Sequence, residues 1–196
     1  MSNDEDIDWV NTGVLALQGF LSREDEARII PLCLRVSEIE GFDGGLNRGA
    51  SRLHMTLASW KVTPQEVQLA QSQFASRFND LAAITMPVSL FESRGNGGLA
   101  CAIAPKPTEA LLQWHAQVHA KVAWPFQPWR EMDLPGSWWP HIGVCHIAES
   151  KEHLASEPLQ KLREIEEITI ERIGLVSYFG SMQVLGEVEL RREATL

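Results

Sequence analysis

A short stretch in which an imidazole alternates with apolar residues occurs once in each half of the chain, at Leu53 to Ser59 (LHMTLAS) and at Pro140 to Ala148 (PHIGVCHIA). Alternation with period two is the pattern of a strand with one buried face. His54 and Thr56 therefore share one face of the first strand, and His141 and Gly143 share one face of the second. Met55, Leu57, Ile142 and Val144 turn to a core. The two histidines stand 87 positions apart. That recurrence constrains the fold to two related lobes with a cleft between them. Identity between the halves is too low for an internal repeat, so the expectation rests on element order and on the paired strands.

The remaining elements follow from turn and cap signals. Thr12 to Phe20 (TGVLALQGF) reads as a buried strand, and Ser22 caps an amphipathic helix running through Ile39, with Glu24, Asp25 and Glu26 in its first turn suiting the helix dipole. Gly41 to Gly49 is a loop. Thr63 and Pro64 open a second helix, to about Asp80. Strands at Ile84 to Ser93 and Gly98 to Ala104 are joined by Arg94-Gly95-Asn96-Gly97, which contains the Asn-Gly pair favoured in hairpins. Pro107 and Thr108 start a third helix to about Val122, and a loop rich in proline and tryptophan spans Ala123 to Trp139. A short helix near Glu157 to Ile165 precedes strands Ile168 to Phe179 and Ser181 to Leu190, with Gly180 at the turn. The predicted order is β-α-β-α-β-β-α-β-α-β-β.

Composition narrows the function. A formal net charge of −9 over 196 residues repels a polyanion, so phosphate chemistry here needs a local pocket rather than an extended nucleic-acid groove. No apolar run approaches the roughly 20 residues that span a bilayer. The acidic start, Met1 to Asp6, has neither the basic nor the apolar region of a secretory signal, which predicts a cytoplasmic protein. Cys33, Cys101 and Cys145 are far apart in sequence and form no CxxC pair, so reduced, buried thiols are expected rather than a disulfide framework or zinc ribbon.

Two imidazoles facing each other across a cleft can divide acid and base roles, because histidine titrates near neutral pH, and a neighbouring hydroxyl can donate to a phosphate oxygen. His54-Met55-Thr56-Leu57 and His141-Ile142-Gly143-Val144 resemble the paired His-x-Thr/Ser-hydrophobic motifs of the 2H phosphoesterase superfamily, which includes 2′,5′-RNA ligase-like proteins and cyclic phosphodiesterases. The likeness extends over nearly the whole chain in element order and motif separation. It implies an α+β, bilobal 2H phosphoesterase-like fold, with two antiparallel-sheet lobes and outer helices around a central cleft. Residues 12–196 would form that single domain behind a flexible acidic segment, 1–11.

The resemblance also implies opening of a 2′,3′-cyclic phosphate or related small nucleotide or RNA-end phosphodiester, with His54 and His141 as the acid–base pair, Thr56 and position 143 at the phosphate, and no metal or cofactor. Gly143 departs from the pattern by removing one hydroxyl. The alternative is a non-catalytic nucleotide or RNA-end binding protein with a degenerate site. Spacing does not assign acid and base, and it does not separate hydrolysis from ligation.

Other residues have plainer readings. His115 and His119 are spaced i, i+4 with Glu109 on the same helix, but without an HExxH pattern a solvated or partly buried helix surface is expected rather than a metal site. His146 should face away from His141. Trp124, Trp129, Trp138 and Trp139 read as core-edge packing before a lid or base platform, and Tyr178 and Phe179 as packing before stacking. Glu164, Glu166 and Glu167 read as a solvated segment. Arg48 and Arg52 are secondary candidates for phosphate contact.

Overall fold

A computed structural model describes residues 12–39, 52–95, 98–122, 124–179 and 181–192. Among these residues are eight strands: β1 (Gly13–Leu21), β2 (His54–Val62), β3 (Ile84–Gly95), β4 (Gly98–Pro105), β5 (Gln127–Pro128), β6 (Ile142–Ala148), β7 (Glu167–Phe179) and β8 (Ser181–Glu189). Among the described residues four α-helices accompany them: α1 (Arg23–Glu38), α2 (Pro64–Phe78), α3 (Glu109–Lys121) and α4 (Ser156–Arg163).

Local chemistry accounts for the helix starts. The Ser22 hydroxyl accepts the Asp25 N–H at 3.0 Å. Thr63 and Glu66 form a reciprocal capping box with Pro64 just inside it, and Thr108 caps α3 through the Leu111 N–H at 3.2 Å. The β3–β4 hairpin pairs down to Gly95 opposite Gly98, bracketing the Asn-Gly connection, whose two residues lie outside the described ones. The predicted loop at Gly41 to Gly49 and the segment 1–11 also lie outside them.

The strands form one hydrogen-bonded network in the order β1-β2-β6-β4-β3-β7-β8, and β1 also pairs with β7. One half holds β1, β2, β7 and β8, and the other holds β3, β4 and β6. Their seams are narrow. β7 joins β3 over Glu167 to Ile170, and β2 meets β6 at the single antiparallel pair Met55↔Ile142. Met55 and Ile142 are both fully buried. Burying such a side chain contributes about 1.5–3 kcal/mol, and a one-residue slip would turn both to solvent and their histidine neighbours to the core. The register at the seam is therefore strongly specified.

Several boundaries differ from the sequence expectation. β2 continues past Ser59 to Val62, β6 begins one residue after His141, and α4 starts and ends slightly earlier than predicted. The Trp-rich segment contains β5 and a 3-10 turn at Glu131–Asp133, and a second 3-10 turn covers Glu149–Ala155. Cysteines distant in sequence meet in space: Cys101 lies directly opposite Cys145 across β4 and β6. All three thiols are buried and free. Among the described residues no helix is long and apolar enough to cross a membrane.

Candidate active site

The pair Met55↔Ile142 sets the site's geometry. In an antiparallel ladder opposed residues point to the same side, so His54 lies across from Gly143 and Thr56 across from His141. All four motif positions therefore occupy one face, with the core on the other. The two imidazoles stand on a diagonal of that array, where backbone positions are about 7–8 Å apart and longer side chains can converge. Their proximity is felt electrostatically. The His54 pKa is lowered, chiefly by burial and further by repulsion from His141, against an opposing effect of the Arg52 carbonyl.

Both rings are held by the same device. His54 Nδ1 lies 2.8 Å from the Arg52 carbonyl oxygen, and His141 Nδ1 lies 3.0 Å from that of Trp139. A carbonyl only accepts, so each Nδ1 carries its hydrogen and donates it. Nε2 is left on each ring for proton exchange.

β2 is bent by a bulge. Its register with β1 shifts between Ala58, opposite Leu17, and Thr56, opposite Gln18, leaving Leu57 as the extra residue. The freed Leu57 carbonyl accepts from His115 Nε2 at 2.8 Å and from His119 Nε2 at 3.0 Å, and the latter also reaches the Asp133 carbonyl at 3.0 Å. Trp138 stacks on His115 with ring centroids 3.7 Å apart, and its Nε1 donates to the Thr56 carbonyl at 3.0 Å. His115 is thus buried rather than solvated, contrary to the sequence expectation. Burial pushes its pKa down to about 4, with His119 adding to the effect against the Leu57 carbonyl. The i, i+4 pair grips the backbone behind Thr56, and its Nε2 atoms are committed to carbonyls.

The bulge also carries Ser59 to the same face as Thr56, which strict alternation would have prevented. A cavity of about 260 Å³ opens there, lined by His54, Thr56, Ser59, Gln18, Tyr178 and Asp133, with Val14, Ala16, Trp129 and Arg130 completing it. Gln18 Nε2 donates to the Tyr178 hydroxyl at 2.7 Å, and the Ser59 hydroxyl donates to the Asp133 carboxylate. Gln18, Ser59 and Asp133 were not singled out by sequence reasoning. One signal was available for Gln18, the single polar side chain in the run Val14 to Leu21.

The His141 side is more open. Trp139 is 44% exposed, stacks on His141 at 4.2 Å and meets the equally exposed Phe91 edge-on at 5.5 Å, so it is not core-edge packing, whereas Trp124 and Trp138 are. Gly143 is exposed, and a Cβ added there would meet nothing within 4 Å. Arg52 is drawn away from the histidine face into ion pairs with Glu26 and Glu187, and contributes its carbonyl to His54 instead. Phe179 packs on Gly13. Arg48 and the His146 side chain lie outside what is described.

The profile of the 2′-5′ RNA ligase superfamily matches residues 30–181, a span that includes both histidine strands. The chain belongs to this superfamily. Among solved structures, TT0787 of Thermus thermophilus is similar at a TM-score of 0.53 and 18% identity, covering 92% of this chain and 100% of the other. E. coli LigT, crystallised with 3′-AMP, is similar at 0.52 and 15% identity, covering 92% and 98%. No curated protein matches by sequence. At these identities the structural likeness establishes the 2H phosphoesterase fold, and the motif residues stand on this chain's own geometry.

Proposed function

We propose that the chain is a metal-independent phosphodiesterase that opens 2′,3′-cyclic phosphates or related small nucleotide and RNA-end phosphodiesters by two-histidine acid–base catalysis. The reading is carried by one observation, the antiparallel pair Met55↔Ile142, which sets two tautomer-locked imidazoles diagonally on one face. Superfamily membership supports phosphodiesterase-type chemistry, and the 3′-AMP bound by LigT belongs to the proposed class of small nucleotide.

In the hydrolytic direction His54 Nε2 removes a proton from water as its oxygen attacks phosphorus. Burial and the neighbouring imidazole favour the neutral form that this step needs. Protonated His141 donates from Nε2 to the departing ribose oxygen as the P–O bond breaks. The Thr56 hydroxyl donates to a non-bridging oxygen. Running the step backwards exchanges the two roles.

The competing reading is a nucleotide-binding protein without turnover, favoured by the hydroxyl missing at Gly143. Hydrolysis of 2′,3′-cyclic nucleotides in excess EDTA separates the two. The phosphodiesterase should retain activity in chelator, and His54→Ala and His141→Ala should each lower kcat by about 10²–10⁴-fold, the usual contribution of one acid–base group. Turnover surviving both substitutions would sink the assigned roles, and nucleotide binding without any turnover would favour the competing reading.

A further inference from the structure

The phosphate face accounts for His54 and Thr56 but not for the cavity beside them, whose polar groups are selective in kind. Asp133 is 6% exposed, and Ser59 is the partner of its carboxylate among the described residues. A carboxylate has about four lone-pair sites and donates nothing, so most of its accepting capacity is left over. Arg130 lines the cavity too, its guanidinium 4.0 Å over the Trp129 ring, so the charge of Asp133 is not alone there; what the buried carboxylate adds is a demand for a hydrogen-bond donor, which a nucleobase can meet and an ionised phosphate cannot. Gln18 is 2% exposed and spends an amide hydrogen on Tyr178, keeping its carbonyl oxygen as an acceptor, while the Tyr178 O–H stays available to donate. Val14, Ala16 and the Trp129 ring supply apolar walls, and about 260 Å³ falls below the roughly 300–1,000 Å³ of sites for drug-sized ligands, enough for one ring system.

We propose that this cavity holds the nucleobase of the substrate and selects a base whose hydrogen-bonding edge donates, guanine above uracil. This rests on the phosphodiesterase reading of the adjoining face. Guanine offers N1–H and the 2-amino group side by side, which the Asp133 carboxylate can accept together, and its O6 can take the Tyr178 hydrogen. Uracil offers one N–H flanked by two carbonyl oxygens, which would face the carboxylate unfavourably. A site lined with buried acceptors discriminates against a ligand that leaves them unpaired.

Calorimetric titration of the full chain with 3′-GMP, 3′-IMP and 3′-UMP tests this without requiring turnover. The expected order of affinity is 3′-GMP, then 3′-IMP, then 3′-UMP, with roughly tenfold or more between the first and last, the scale of one bidentate base contact. Asp133→Asn, confirmed folded by circular dichroism, should collapse the 3′-GMP to 3′-UMP ratio. Equal affinities in the unmodified protein would overturn the proposal, and so would a guanine preference that survives Asp133→Asn. Equal affinities with cyclic-nucleotide hydrolysis intact would overturn the base pocket alone, whereas binding of no nucleotide and no inorganic phosphate would overturn the phosphodiesterase reading with it.

Discussion

The two imidazoles sit on strands of different construction. Behind His54 the backbone is bulged and gripped by His115, His119 and Trp138, a hydroxyl stands at Thr56, and a polar cavity opens alongside. At His141 the strand is just beginning, the position opposite His54 is a glycine with open space above it, and the ring is flanked by the exposed aromatics Trp139 and Phe91. Histidines that look equivalent in sequence thus divide into a half braced from behind by hydrogen bonds and a half open to solvent.

The comparison is broken most strongly at Gly143. Gly143→Thr puts its Cβ in open space and should supply the phosphate donor that glycine lacks, raising turnover of a 2′,3′-cyclic nucleotide by up to about 10²–10³-fold, the scale of one positioned oxyanion donor. An unchanged kcat would mean that position 143 does not touch the phosphate.

A smaller effect separates the halves by pH. The His115 pKa is pushed down to about 4, while the unfolded chain titrates near 6.5. Between those values the unfolded state binds a proton that the folded state refuses, so stability falls as pH drops through this window and is unaffected above it. The loss is on the order of 3 kcal/mol at pH 4. His115→Gln keeps an N–H donor for Leu57 without titrating, so urea unfolding at pH 7 and pH 4 should show a smaller acid loss than in the unmodified protein. Smaller again is Trp139→Ala, which removes an exposed ring and should change stability by only about 1 kcal/mol while loosening the His141 ring, a change visible as a raised KM or lowered kcat.

Features encoded locally were legible in the sequence. Ser22, Thr63 and Thr108 announced three helices, and period-two alternation gave the facing of both histidine strands. The direct pairing of those strands was not foreseen: two lobes facing across a cleft were expected, and nothing near residue 54 specifies a sheet partner at 142. The bulge was hidden because its freed carbonyl is satisfied by His115 and His119 across more than fifty residues, so Ser59 appeared to face the wrong way. Asp133 gave no signal, as one carboxylate in a proline- and tryptophan-rich segment whose 3-10 turn carries it to the cavity.

The division of roles between the halves is tested most directly by the pH dependence of kcat/KM for a 2′,3′-cyclic nucleotide. The unmodified protein should give a bell whose ascending limb, set by deprotonation of His54, lies below about pH 6.5 because the His54 pKa is lowered. His54→Ala should abolish that ascending limb in the residual activity, whereas His141→Ala should lower the rate and leave that limb in place. An ascending limb that survives in His54→Ala, or that His141→Ala removes, would contradict His54 as base and His141 as acid.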